Sequence, residues 1–270
     1  MNSTETVHPP NEPAPDTQET INFPHPLVVR PRLPHGLCEL DISKDADIRV
    51  KSTNMYFTKT WADCHITSWD ETTLYSAVDD GFVLIPANLQ YLNGEHMRNL
   101  LVDPDDPASV RIDFEHPFVT PPKVVVFLSY IDLGKGHNWR LRTTATNIDM
   151  NEFTLTVESW GDTVLYAAQA GWIAYPEDEE HVFSFSDNTA DVSNQPQLQY
   201  RNETTFNNVE FWKNPSVFVA LNSFDVDCKA NLRISAYVDG VTKTSLMWHI
   251  DAWYDTILYS ASASIIAFNN

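Results

Sequence analysis

The strongest constraint on this chain is a pattern that occurs three times. It reads Trp69-Asp70-Glu71-Thr72-Thr73-Leu74-Tyr75, then Trp160-Gly161-Asp162-Thr163-Val164-Leu165-Tyr166, then Trp253-Tyr254-Asp255-Thr256-Ile257-Leu258-Tyr259. The shared form is Trp-x-acid-Thr-x-Leu-Tyr. Twenty residues before each Trp stands an arginine between apolar neighbours: Ile48-Arg49-Val50, Trp139-Arg140-Leu141 and Leu232-Arg233-Ile234. Successive arginines are 91 and then 93 positions apart, and the same offsets relate the tryptophans, the tyrosines, Asp41/Asp132/Asp225 and Pro31/Pro122/Pro215. Self-similarity in one register across five landmarks means three tandem modules that bury their apolar faces together.

Residues 1–20 are polar and proline-rich and read as a flexible arm. Module one is expected over 21–86, with its first strand near Phe23, and a connector over 87–109. Module two follows over 110–176, a second connector (opening on Glu177-Asp178-Glu179-Glu180) over 177–203, and module three over 204–270. Inside a module the hydrophobic period is two: Phe153-Thr154-Leu155-Thr156-Val157-Glu158 alternates as a half-buried strand does. Val124-Val125-Val126-Phe127-Leu128 is continuously apolar, as for a strand buried on both faces. Such strands with prolines at the corners predict an all-β chain of three six-stranded antiparallel sandwiches. Each is near the lower size limit for a self-sufficient core, so the three are expected to pack closely, as a pseudo-trimer within one chain.

The formal net charge is −20, with 37 acidic against 17 basic residues. Nucleic acid and anionic membrane surfaces both reward positive charge, so neither fits as a partner, whereas a neutral or cationic one does. No 18-residue apolar run exists for membrane insertion. Met1–Thr20 has no apolar segment of the signal-peptide kind, so a cytoplasmic or unconventionally secreted protein is expected. The three cysteines, Cys38, Cys64 and Cys228, form no C-x-x-C pair; a single Cys38–Cys64 bridge stays open.

Strand parity sharpens the role of the repeated residues. The inward phase takes Phe153, Leu155, Val157 and Ser159 in module two, Leu246, Trp248, Ile250 and Ala252 in module three, and Ala62, Cys64, Ile66 and Ser68 in module one. Trp69, Trp160 and Trp253 therefore stand off the core phase, and the flanking apolar pairs put Arg49, Arg140 and Arg233 off it too. Outward Trp and Arg on neighbouring strands suit a seam between modules, as interface packing, as a ligand site, or as both. An aromatic face matches the C–H patch of a sugar ring, and Arg donates forked hydrogen bonds to hydroxyls. Glu71, Asp162 and Asp255, two residues after each Trp, are expected to cap their own turn, and Asp41, Asp132 and Asp225 to make Asx turns at strand ends.

The segments Trp160-Gly161-Asp162-Thr163, Leu165-Tyr166-Ala167-Ala168 and Gly171-Trp172-Ile173-Ala174, with Leu128–Asp132 and Asn138–Leu141, resemble the H-type lectin family. Module three resembles it at Ala230–Ile234 and Trp253–Ala263, and module one over Leu37–Ser76. The resemblance implies six-stranded sandwiches that trimerise and bind galactose or N-acetylgalactosamine between protomers, without metal or other cofactor. It assigns sugar contacts to Arg49, Arg140 and Arg233, and an aromatic platform to Trp69, Trp160, Trp253, Tyr75, Tyr166 and Tyr259. The family's sugar-contacting position after the Trp is Asp70, Gly161 and Tyr254 here, so the three sites are expected to differ. Its aspartate before the first strand falls on Asp103 in module two; module three offers Asp191 or Asn194, and module one Glu12 or Asp16.

No HExxH, GxSxG, P-loop or GxGxxG pattern is present, and no pair of carboxylates recurs as a glycosidase would need. The expectation is a non-enzymatic lectin that recognises galactose-type glycans on glycoproteins or glycolipids, agglutinates cells, and has scope for higher homo-oligomers. The competing expectation is a structural or protein-binding assembly in which Trp and Arg only build the seams.

Overall fold

The structure is a computed structural model that describes residues 16–23, 25–28, 31–83, 91–193 and 195–269. Residues 1–15 of the expected arm lie outside them. Module one supplies β1 (Asp16–Asn22), β2 (His35–Ile42), β3 (Ile48–Phe57), β4 (Trp61–Thr67) and β5 (Leu74–Gly81). Module two supplies β6 (Leu92–Asn99), β7 (Ser109–Asp113), β8 (Lys123–Leu133), β9 (Trp139–Thr146), β10 (Glu152–Glu158) and β11 (Leu165–Tyr175). Module three supplies β12 (Val182–Asn188), a one-turn helix α1 (Thr189–Val192), β13 (Gln199–Thr205), β14 (Ser216–Val226), β15 (Leu232–Asp239), β16 (Ser245–Asp251) and β17 (Leu258–Phe268).

The expected all-β sandwiches are there, and the way they are joined is the central feature. No sheet belongs to one module. The first runs β1-β4-β3-β8-β11-β6, the second β12-β17-β14-β9-β10-β7, and the third β13-β16-β15-β2-β5. Each takes strands from two modules, three and three in the first two sheets and three and two in the third. The joins are antiparallel ladders: β3 on β8 (modules one and two), β9 on β14 (two and three) and β15 on β2 (three and one). The modules therefore close a ring, held by backbone hydrogen bonds as well as by side chains. The sixth strand expected of module one lies outside the described residues.

Two expected connectors contain strands. β6 and β12 line up on β11 and β17 as outer strands, and β1 begins inside the expected arm and ends just before Phe23. Their patterning explains the miss: β6 fully buries only Leu92, and β12 has no fully buried residue, so neither shows the alternation that marks a half-buried strand.

The expected inward phase is observed, with Phe153, Leu155, Val157, Leu246, Trp248, Ile250, Ala62 and Ile66 all buried. The continuous run in β8 serves two cores. Val126 and Leu128 enter the cluster shared by the sandwich interiors, while Val125 and Phe127 enter a second cluster with Phe82, Ile173, Phe218 and Ile266. That second cluster takes residues from all three modules and so marks the ring's pseudo-threefold axis. There Gly36, Phe127 and Ala220 are register equivalents, and a Cβ on Gly36 would stand 2.7 Å from Phe127 Cδ2 and 2.8 Å from Ala220 Cβ. One ring and two small residues fill a layer that three equal side chains would not. Cys38 and Cys64 are free thiols on different sheets, so no bridge joins them.

Module one departs from the others in carrying an acidic pair, Asp79-Asp80, on its last strand. Ser52 Oγ donates to Asp79 Oδ2 at 2.6 Å and lies 2.8 Å from His35 Nδ1. Asp80 accepts from the Gly81 N–H at 2.8 Å and, across the ring, from the Val219 N–H at 2.9 Å. The equivalents of Asp79 and Asp80 are Ala170-Gly171 and Ala263-Ser264. Burial pushes the Asp80 carboxyl up from 3.8 to about 7. The fold thus favours the neutral acid, and the stability it contributes, complete below the ordinary value, is lost as pH rises through about 7.

Two outcomes are expected. Gly36→Ala destabilises by roughly 1–3 kcal/mol through overpacking, read as a lower denaturation midpoint. Between about pH 5 and 7 Asp80 makes the melting temperature of the wild type fall with rising pH, and Asp80→Asn, which stays neutral, removes that contribution.

Candidate functional site

The three arginines sit at the three joins, each opposite an aspartate of the next module. Arg49 pairs in register with Asp132, Arg140 with Asp225, and Arg233 with Asp41. The side chains follow the backbone: Nε lies 3.2, 3.2 and 3.4 Å from the respective Oδ1 atoms. Asp41, Asp132 and Asp225 are therefore mid-ladder partners rather than the Asx turns expected of them. Burial raises the carboxyls of all three above the usual range, and the facing guanidinium opposes that rise. The indoles of Trp253 and Trp160 help to hold Asp41 and Asp225 ionised by hydrogen bonding. Although off the core phase, the arginines are no more than 17% exposed, because the next module covers them.

A second acid reaches each arginine from the Trp turn. Asp162 Oδ1 lies 2.6 Å from Arg140 Nη1, and Asp255 Oδ1 lies 2.8 Å from Arg233 Nη1. These hydrogen bonds hold both carboxyls below the usual range, so both acids serve the arginine, beyond the turn-capping expected. In module one Asp70 takes that place at 3.5 Å, and Asp47 adds a third carboxylate at 2.6 Å from Nη2. All three Arg49 nitrogens are thus engaged, whereas Nη2 of Arg140 and of Arg233 stays outside these pairings.

The turn itself is the same in all copies. The Thr72, Thr163 and Thr256 N–H groups donate back to the carbonyls of Trp69, Trp160 and Trp253 at 3.3–3.4 Å. The residue after the Trp has positive φ: 53° at Asp70, 66° at Gly161 and 55° at Tyr254. Only Gly161 adopts this without a Cβ penalty. A Cβ on Gly161 would meet Arg140 Nη1 at 2.8 Å, while Tyr254 lays its ring 5.1 Å from the Arg233 guanidinium carbon. The variable residue therefore decides how much of each arginine is covered. The Thr hydroxyls donate to the carbonyls of Asp47, Asn138 and Asn231 at 2.7, 2.5 and 2.7 Å, which ties each Trp turn to the residue two positions before its arginine.

Those three residues were not recognised from the sequence as functional. Their side-chain oxygens also accept N–H groups from the next module: Lys135 to Asp47 (2.9 Å), Cys228 to Asn138 (3.3 Å) and Lys44 to Asn231 (3.2 Å). Donors and acceptors keep the 91 and 93 offsets, so the register alone held the signal.

The aromatic residues divide between seams. Trp69 meets Tyr130 of module two at 5.1 Å, and Tyr166, also of module two, comes within 6.0 Å of Arg49. Tyr259 of module three donates to Asp227 at 2.8 Å, one residue past the strand that carries Asp225. Tyr75 lies between Leu74 and Ser76, which pair with Ile42 and Asp41 on β2. Each site thus takes its Trp from one module and its Tyr from the next. Arg142 stands 5.4 Å over Trp160 and Lys51 6.0 Å over Trp69; the equivalent in module three is Ser235, which leaves Trp253 without that cation. Asp103 joins no seam cluster: it closes its own acidic turn by accepting from the Asp105 N–H at 3.1 Å. Asp191 lies in α1 and Asp16 is 3.5 Å from His65, while Glu12 and Asn194 fall outside the described residues.

The molecule is a ring of sandwiches with an Arg–acid–aromatic cluster repeated at every join. The H-type lectin domain profile matches residues 18–78, 109–175 and 201–268, one match per module and most of the chain. The chain belongs to the H-type lectin family, whose domains bind carbohydrate, and carries three such domains in tandem. A curated relative described as "ATP synthase subunits region ORF 7", from Fuscovulum blasticum, is 36% identical over 70 residues, covering 25% of this chain and 61% of the relative. The chain thus spans less than two thirds of that relative's length. No solved structure matches the chain significantly.

The two acids on each arginine differ in burial, and a double-mutant cycle separates them. The Arg140–Asp225 pair is expected to couple by about 1–3 kcal/mol. Arg140–Asp162, whose acid is 63% exposed, is expected to couple by less than about 1 kcal/mol and to lose that coupling in high salt.

Proposed function

We propose that the three seams bind neutral, galactose-type glycans on glycoproteins or glycolipids, and that the ring is a non-catalytic, multivalent agglutinin. One polypeptide then does the work of the family's homotrimer. The observation that carries this reading is the threefold Arg–Asp–Trp cluster: a guanidinium fixed by acids, with accepting carboxylates and an aromatic face beside it. Such a set donates to and accepts from sugar hydroxyls while the ring takes the apolar C–H patch. The excess of carboxylates around each arginine, with a net charge of −20, disfavours sialylated and sulfated glycans. Each contact is small and weak, and linkage through one rigid ring raises the apparent affinity for a surface.

The seams are not equal in this reading. Arg49, with every nitrogen engaged by a carboxylate, has the least to offer a ligand, and Arg140, beside Gly161, is the most open. A second reading, assembly alone, is favoured by the ion pairs themselves, since every arginine already has partners across or beside its seam.

A glycan array on the wild type and on the alanine variants of Arg49, Arg140 and Arg233 tests this. Terminal galactose or N-acetylgalactosamine glycans are expected to bind, with loss of signal greatest for Arg140→Ala and smallest for Arg49→Ala. An array blank for the wild type, with Arg140→Ala lowering the melting temperature sharply, would leave the assembly reading in its place.

A further inference from the structure

At one end of the pseudo-threefold axis, Phe82, Ile173 and Ile266 converge as register equivalents and are almost fully buried. Beyond them opens a cavity of about 500 Å³, within the range of small-molecule sites. Its further walls include Tyr91, Tyr175, Trp212 and Phe268, with Glu179 and Glu180 at the rim. Among the described residues the lining contains no Lys or Arg. The rings are ordered against one another: Tyr91 stacks on Tyr175 at 6.0 Å, Phe82 meets Phe268 at 5.2 Å, and Trp212 meets His181 edge-on at 4.2 Å. Trp212 is nonetheless 59% exposed, a large aromatic surface left open beside two carboxylates.

This cavity shares no residue with the seam clusters. Phe82, Tyr91, Glu179, Glu180 and His181 all fall between the three stretches that match the lectin domain. The site is thus built largely by segments that link the domains. Aromatic walls with two carboxylates and no Lys or Arg in the described lining are suited to a cation. A hydrated inorganic ion gains little from aromatic walls, whereas an alkylated ammonium satisfies both walls and charge.

We propose that this axial cavity binds a small organic ammonium ion of the trimethylammonium class, its methyl groups against Trp212 and Tyr91, the latter backed by the buried Tyr175, and its charge balanced by Glu179 and Glu180. Burial and the Glu179 carboxylate, to which the Tyr91 hydroxyl donates, push that hydroxyl's pKa well up, so it stays neutral and fixes the Glu179 side of the rim. The overall charge of −20 favours the approach of such an ion.

Calorimetric titration of the full chain with choline, and separately with its neutral carbon isostere 3,3-dimethylbutan-1-ol, tests the proposal. Choline is expected to bind saturably at one site, with the isostere weaker by roughly tenfold or more. Trp212→Ala and Glu179→Gln are each expected to weaken choline by about tenfold while leaving glycan binding at the seams intact. A trimethyllysine peptide as a third ligand tells a peptide-borne ammonium from a free one. Absence of saturable choline binding, equal binding of the isostere, or unchanged affinity in both variants overturns the proposal, whatever the glycan array gives.

Discussion

Everything in this molecule depends on the antiparallel ladder between one module's arginine strand and the next module's aspartate strand. It occurs three times, always four residue pairs long, and always with Arg opposite Asp. The ladder joins half-sheets into whole ones, and the ion pair fixes its register, since a one-residue slip would put the two charges on opposite faces of the sheet and turn one of them toward the core. The side-chain oxygens of Asp47, Asn138 and Asn231 latch each ladder at its end, and the Thr of the Trp turn holds the latch. Assembly and site are one construction here, so any ligand at a seam touches groups that also hold the ring.

Much of this was legible in the residues. The equal offsets gave the number of modules, and alternation in Phe153–Glu158 and Leu246–Ala252 gave the core faces. Parity placed Trp and Arg off those cores, and the family resemblance supplied the sandwich. What could not be read was which strands meet. Hydrogen bonding between modules leaves no local pattern, so Asp132 looked like the end of its own strand when it is the counter-ion of Arg49. Strands β6 and β12 escaped notice because outer positions need little apolar alternation. The acids of the Trp turns were assigned to the backbone because a local cap is visible in sequence, whereas a guanidinium twenty-two residues away in the chain is not.

The seams also show how repetition loosens. The positive-φ corner suits glycine, yet only module two has it. Asp70 and Tyr254 accept the backbone cost and return something local, a carboxylate toward Arg49 in one case and a ring over Arg233 in the other. The axis shows the same drift, with Gly36, Phe127 and Ala220 dividing one layer unequally, and Asp80 facing the backbone of module three where its counterparts are Gly171 and Ser264.

Because every sheet is made of two half-sheets, a separate copy of one module would expose two unpaired edges and would exist only by finding others. Three free copies would therefore come apart on dilution. Joined in one chain, the same six edges meet in three pairs at an effective concentration set by short linkers and not by the amount of protein present. The ring therefore holds together at any dilution.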